Sequence, residues 1–219
     1  MDKLVRKIEV PIAKKYITKN GLYIVSKKEL KQLAKVAADA YKDYPLHNWF
    51  TKGKYDAKAS KLIMQISLKT MTEDAVIYAD SPDINGFAVW LPLGFTGSKT
   101  LPFLMNGGVG LVLHSGPSII GRLLTYENFA MKLKETYTDH VDWYLYNLSV
   151  SHKAQGRGIA SKLLTDTHSH LARLGYAGAV LVPGEGPLFG FYEKLGYRRI
   201  GAFQPPDQDA DEIMYVKTL

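Results

Sequence analysis

The chain has 219 residues, a net charge of +7 and no cysteine. Its length suits one large domain with a sizeable core, and 46% hydrophobic with 22% charged residues separates it from disordered and fibrous chains. Without cysteine there is no disulfide, thiolate nucleophile or cysteine metal site. No stretch approaches the ~20 apolar residues of a membrane span, and the start MDKLVRKIEV lacks the apolar core of a secretory signal. A cytoplasmic location with no membrane partner is expected.

The charge is concentrated at the start. Residues 1–35 hold ten Lys and Arg against three acids, and the remainder is neutral. Such a run can meet nucleic acid or an acidic partner, but no aromatic or arginine-rich recognition module accompanies it. We read it as a solvated face. Residues 1–20 form a basic extension with a short amphipathic helix on Leu4, Ile8 and Ile12, divided by Pro11. Residues 21–219 follow as a single domain.

Leu22–Val25 reads as a strand. Ser26 with Glu29 is a capping box, opening a helix to about Tyr41 with Leu30, Leu33, Ala34 and Ala37 on one face. The segment Asp43–Phe50, DYPLHNWF, is read as a loop whose aromatics, beside Pro45 and His47, line a pocket or plug the core. A helix from about Asp56 to Met71 carries Ile63, Met64, Ile66 and Leu68. Strands Ala75–Ala79 and Gly86–Leu91 flank a turn with hairpin chemistry, Asn-Gly entering the second strand. Trp90 on that strand either reaches a pocket at the sheet's end or packs in the core.

Residues 101–139 are less informative. Gly107, Gly108 and Gly110 read as loop, and a helix follows from about Ser118 to Glu135. No Gly-Lys-Ser/Thr follows the glycines, which excludes a phosphate loop. The stretch that organises the chain comes next. Trp143–Val150 is a strand rich in aromatic and branched residues, leading to Gln155-Gly156-Arg157-Gly158-Ile159-Ala160 and a helix on Ile159, Leu163, Leu164, Leu171 and Leu174. A strand, a glycine turn and a helix start present bare N–H groups at a positive helix end, where an anion can sit. Lys153, Arg157 and Lys162 add charge nearby.

Gly175 is a C-cap candidate. A strand at Ala177–Val182, a helix at Pro187–Leu195 and an antiparallel pair, Tyr197–Phe203 with Glu212–Lys217, complete the chain. Gly184-Glu185-Gly186 lacks the third glycine of a dinucleotide fingerprint. The six histidines show no metal-ligand spacing, so no metal is expected.

Q-x-x-G-x-A at Gln155–Ala160, directly after a strand ending Leu148-Ser149-Val150, is similar to the acyl-CoA-binding signature of the GNAT N-acetyltransferases. Phe191-Tyr192-Glu193-Lys194-Leu195-Gly196-Tyr197 resembles that family's F-Y-x-x-x-G-F/Y segment. The resemblance runs from about Ile24 to the C-terminus, with its motif core at 142–200. It implies an α/β GNAT acyl-CoA acyltransferase fold: a mixed, mostly antiparallel sheet of about seven strands, splayed between strands four and five and flanked by helices.

The activity implied is transfer of an acetyl group from acetyl-CoA to a primary amine, releasing coenzyme A, by direct attack in a ternary complex. The small-molecule acceptor suggested by the aromatics makes the partner a small amine, and the protein a monomer or homodimer. On this resemblance the cofactor is held by Leu148, Ser149, Val150, Lys153, Gln155, Gly156, Arg157, Gly158, Ile159, Ala160 and Ser161. Tyr192 matches the general-acid tyrosine; a phenol near pKa ~10 can protonate a departing thiolate. Tyr144 and Asp142 are candidates for the base, because the family's early-strand glutamate is absent. Tyr44, His47, Trp49, Trp90 and Tyr146 are acceptor-site candidates. Two other readings remain open: a catalytically silent acyl-CoA-binding module whose basic N-terminus binds a partner or nucleic acid, and an acetyltransferase acting on proteins or peptides.

Overall fold

Local chemistry sets the first elements. In the computed structural model, which describes residues 21–42, 44–92, 100–136, 141–173, 179–183, 190–203 and 212–219, β1 (Tyr23–Ile24) is followed by a 3-10 turn, Lys27–Glu29. The Ser26 backbone N–H donates to Glu29 Oε2 at 2.9 Å, closing the expected capping box. α1 (Leu30–Ala40) then buries Leu33, Ala34, Ala37 and Ala38, one face of a 3.6-residue period. α2 (Pro45–Phe50) starts with its proline in the first turn, where no intrahelical N–H is required. That segment was expected to be a loop; the proline at the helix start reads equally as a loop signal. α3 (Ala57–Met71) is capped by Asp56, whose Oδ1 accepts from the Lys58 and Ala59 N–H groups at 2.9 Å each.

β2 (Val76–Ala79) and β3 (Gly86–Pro92) form the expected hairpin. Its left-handed residue is Ile84 (φ +52), not a glycine, and Asp80 Oδ1 closes the turn by accepting from the Asn85 and Gly86 N–H groups at 2.8 and 2.9 Å. The glycine run read as loop is helical instead. α4 (Thr100–Phe103), a π-type turn at Leu104–Gly108 and α5 (Val109–Ser115) run on, broken where Gly107 takes φ +123. Burial of Leu111 against α3 and of Ile119 on α6 (Ser118–Thr136) overrides the weak helix propensity of the glycines.

β4 (Val141–Val150), α7 (Ile159–Arg173), β5 (Ala179–Pro183), α8 (Phe191–Lys194), β6 (Arg198–Phe203) and β7 (Glu212–Thr218) complete the order. The expected helix in residues 1–20, the Gly175 cap and the start of the Pro187–Leu195 helix lie outside the described residues. Among the described residues, no helix is long and apolar enough to cross a membrane.

The seven strands make one sheet in the order β1-β2-β3-β4-β5-β7-β6, antiparallel except for the β4–β5 pair. One face packs on α7 through Trp90, Trp143, Leu145, Leu163, Leu164 and Tyr192. The other packs on α1 and α3 through Ile77, Phe87, Val89, Leu33 and Met64. The helices α4–α6 add a third cluster, with Trp49, Phe50, Ile63 and Ile66 packed on Leu111 and Ile119.

Gly86 lies where hairpin, β4 and α7 converge. A Cβ there would stand 2.8 Å from Ile159 Cγ2, 3.0 Å from Val150 Cγ2 and 3.2 Å from the Ser149 carbonyl oxygen. Gly86→Val is therefore expected to destabilise the protein by about 1–3 kcal/mol through overpacking, read as a lower urea midpoint. An unchanged midpoint would show that Ile159 and Val150 give way freely.

Candidate active site

The start of α7 is built by two glycines. Gly156 (φ +74) and Gly158 (φ +76) both sit in the left-handed region, with open space where a Cβ would be. Conformation, not crowding, requires glycine here. Gln155 Nε2 donates to the Val150 carbonyl at 3.2 Å, tying the turn to β4. The His152 N–H donates to Asp39 Oδ2 at 2.7 Å, tying it to α1. The first helical hydrogen bond runs from the Lys162 N–H to the Gly158 carbonyl at 2.9 Å, so Ile159, Ala160 and Ser161 open the helix with N–H groups that lack intrahelical acceptors.

β4 supplies a second open backbone edge. Along β3 it is paired from Trp143 to Val150, but along β5 its register ends at Tyr144 with Leu181. Among the described residues, Leu145–Val150 has no strand partner on that side. The sheet thus parts between β4 and β5, at the carboxyl ends of two parallel strands. The β3–β4 register also skips one residue: Trp90 pairs with Leu145 and Val89 with Asn147. Tyr146 is the extra, bulged residue. The slip lets Tyr146 and Asn147 both contact groups on the α1–α3 face, while Leu145 and Leu148 remain on the α7 face.

One cavity of about 530 Å³ joins these features. Its first end is formed by Val150, Gln155, Gly156, Gly158, Ile159, Ala160 and Ser161, with Tyr192 and Phe191 beside Leu148. Its second end lies under α2, α3 and α6, walled mainly by Tyr41, Tyr44, Phe50, Tyr126, Tyr144 and Tyr146, with Glu127 and Met131. A polar chain braces this end: Ser149 Oγ donates to Asn147 Oδ1 at 2.9 Å, and Asn147 Nδ2 donates to the Tyr41 hydroxyl. Tyr41 stacks on His47 at 4.1 Å and 13° between planes, and His47 Nδ1 is 2.9 Å from Ser60 Oγ.

Burial sets the ionisation of this end. The His47 imidazole, 6% exposed, is pushed down to about 3, so it is neutral at neutral pH. The Tyr146 phenol is pushed up by burial first, with the Glu127 charge adding to the rise and a Ser67 hydrogen bond opposing it. On α7, His168 is lowered to about 4 by burial and by the Lys217 charge; its Nε2 lies 2.7 Å from the Tyr197 hydroxyl. Folded, both imidazoles bind a proton only well below the ~6.5 of an exposed histidine. Stability is therefore full above about 6.5 and falls as pH drops through 6.5 towards 4, by about 1.4 kcal/mol per pH unit for each ring. Urea midpoints between pH 7 and 5 should fall accordingly, and a flat profile would contradict burial of both rings.

The sequence-derived residues divide as follows. Leu148, Val150, Gln155, Gly156, Gly158, Ile159, Ala160, Ser161 and Tyr192 line the first end, and Tyr44, His47, Tyr144 and Tyr146 the second. Ser149, 1% exposed, turns inward to Asn147; Lys153 and Arg157 are exposed at the turn and do not line the cavity, and Lys162 pairs with Asp166. Two acceptor candidates are not brought to the cavity. Trp90 is fully buried on the α7 face, edge-on to His168, because its position on β3 alternates to that side. Trp49 is buried against Phe50 with the Arg122 guanidinium 5.3 Å over its ring. The Asp142 side chain lies outside the described residues.

Tyr41, Tyr126, Glu127 and Asn147 were not singled out from sequence. Asn147, a lone amide in an apolar strand, carries a local signal; Glu127, one acid on a mixed helix, carries none.

A backbone edge open beside a helix N-terminus, both facing one cavity, has the hydrogen-bonding chemistry that an amide-bearing, phosphorylated ligand requires. Residues 129–210 match the family model of the acetyltransferase (GNAT) domain. The matched stretch takes in β4, the α7 start and Tyr192, and the acyl donor of that family is acetyl-CoA. No curated protein matches the sequence at a significant level.

Several solved structures share the fold. A histone acetyltransferase HPA2-related acetyltransferase of Corynebacterium glutamicum is 17% identical, with 90% of this chain and 94% of that one covered and a TM-score of 0.57. Arylalkylamine N-acetyltransferase 2 of Aedes aegypti is 18% identical, covering 90% and 97%, with a TM-score of 0.58. The polyamine N-acetyltransferase of Drosophila melanogaster, which forms N-acetylagmatine, is 16% identical, covering 88% and 96%, with a TM-score of 0.52.

Proposed function

We propose that the protein acetylates the primary amine of a small molecule with an aromatic or alkyl body, taking the acetyl group from acetyl-CoA by direct attack. The observation that carries this is the single cavity running from the α7 N-terminus, past the open edge of β4, to an aromatic wall. The two ends differ in chemistry as donor and acceptor do. The arylalkylamine and polyamine N-acetyltransferases among the structural neighbours act on acceptors of this class, which supports the reading.

The residues present fit acetyl-CoA. Gly156, Gly158 and the N–H groups of Ile159–Ser161 would hold the pyrophosphate, and the amides of pantetheine would pair with the Leu145–Val150 edge as an added strand. Bound there, acetyl-CoA supplies an activated acyl carbon. Backbone N–H groups at the β4 bulge would stabilise charge developing on the carbonyl oxygen. Tyr192 would give its proton to the departing thiolate. Tyr44, Phe50, Tyr126 and Met131 would enclose the body of the amine and exclude water.

Thiol release from acetyl-CoA against a panel of arylalkylamines, polyamines, amino acids and peptides tests the proposal. Release with one small-amine class is expected. Tight CoA binding without release for any amine would favour a silent binding module, and release with peptides alone would move the acceptor to proteins.

A further inference from the structure

The walls of the acceptor end are nearly without charge. Among the described residues that line the cavity there is no lysine or arginine, and the one acid is Glu127, half-buried on α6. His47 lines the same end, but burial leaves it neutral. A carboxylate facing a largely apolar, aromatic space favours a cation there, and tyrosine faces reinforce that preference. A primary alkylamine at neutral pH is such a cation. Glu127 lines the same cavity as Tyr146, the bulged residue of β4, the strand that would present the thioester.

We propose that Glu127 holds the acceptor's ammonium group and takes its proton. This rests on the acetyl-transfer reading for the step that follows, though not for the recognition itself. The Glu127 carboxylate accepts one proton from the ammonium and passes it to solvent. The freed nitrogen lone pair forms the C–N bond to the acyl carbon while the C–S bond breaks. The nitrogen's surplus proton ends on the sulfur, relayed through Tyr192. The products are an amide, a thiol and one proton in solution. α6 thereby contributes a carboxylate to the cavity as proton acceptor.

Glu127→Gln keeps the shape of the side chain and removes its charge. For a strongly basic acceptor, phenethylamine, kcat/KM at pH 7.5 should fall about 100-fold. For an O-alkylhydroxylamine, a primary amine already neutral at that pH, the loss should stay below about tenfold, because no ammonium proton has to be removed. Glu127→Asp should recover part of the phenethylamine rate. An equal loss with both amines would assign Glu127 a packing role, and no loss with either would remove it from the reaction; each result overturns the proposal.

Calorimetric titration of phenethylamine into the wild type and E127Q gives a readout independent of acetyl transfer. Binding at least about tenfold weaker in the variant is expected, and equal binding, or none to the wild type, overturns the proposal. If ammonium binding depends on Glu127 but acetyl-CoA neither binds nor reacts, the acetyl-transfer reading fails and the recognition stands.

Discussion

Replacing Tyr192 by Phe is expected to lower kcat by about 10²–10³-fold while leaving acetyl-CoA affinity nearly unchanged. The ring is fixed by its surroundings. Tyr192 is 2% exposed, with ring centroids of Phe191, Tyr215 and Tyr197 at 5.1, 5.2 and 5.5 Å. It sits at the start of α8, after Gly190 in the left-handed region at φ +74, a conformation that lets the chain turn sharply into a four-residue helix. Phenylalanine reproduces this packing, so the substitution removes only the hydroxyl at the cavity. A thiolate leaving without a proton donor is then the slow step. Single-turnover kinetics would show the loss in the chemical step; a wild-type rate would mean that the proton comes from elsewhere.

Gly158→Val is expected to weaken acetyl-CoA binding by about 10–100-fold. A branched residue at φ +76 costs about 1–3 kcal/mol of strain. Open space around the position lets the fold accept the side chain. What it disturbs is the ligand: the valine stands before the N–H groups of Ile159–Ser161 and screens the anion they would bind. Gly53 serves as the control, because it too is left-handed (φ +88), with open space, but lies in the turn after α2 and does not line the cavity. Gly53→Val should share the loss in stability and keep CoA affinity. Calorimetric titration separates the two, and equal affinities for G158V and wild type would remove the α7 start from the binding site.

The cavity end at the α7 start was legible because its structure is local. Positive backbone angles at Gly156 and Gly158, the helix start at Ile159 and the strand before them are set by residues within about twenty positions, and the motif at Phe191–Tyr197 completes them. The aromatic end is assembled from α1, α2, α3, α6 and β4, elements far apart in sequence. Nothing near Glu127 marks it as facing a cavity, and for Trp90 and Trp49 nothing local decides between pocket and core, the two readings their surroundings allow. The bulge at Tyr146 was hidden for a similar reason. It arises from register with β3, so alternation read along β4 alone places Asn147 on the wrong face. Gly107, Gly108 and Gly110 read as loop because glycines are weak helix formers, and long-range burial of Leu111 decided the conformation.

Donor and acceptor are expected to occupy one cavity together, so that the amine attacks the thioester directly. Initial rates measured over a grid of acetyl-CoA and amine concentrations test this. Intersecting double-reciprocal lines, with no acetylated protein by mass after incubation with acetyl-CoA alone, are the result the geometry requires. Parallel lines with a stable acetyl-enzyme would place a covalent step between the two substrates and contradict it.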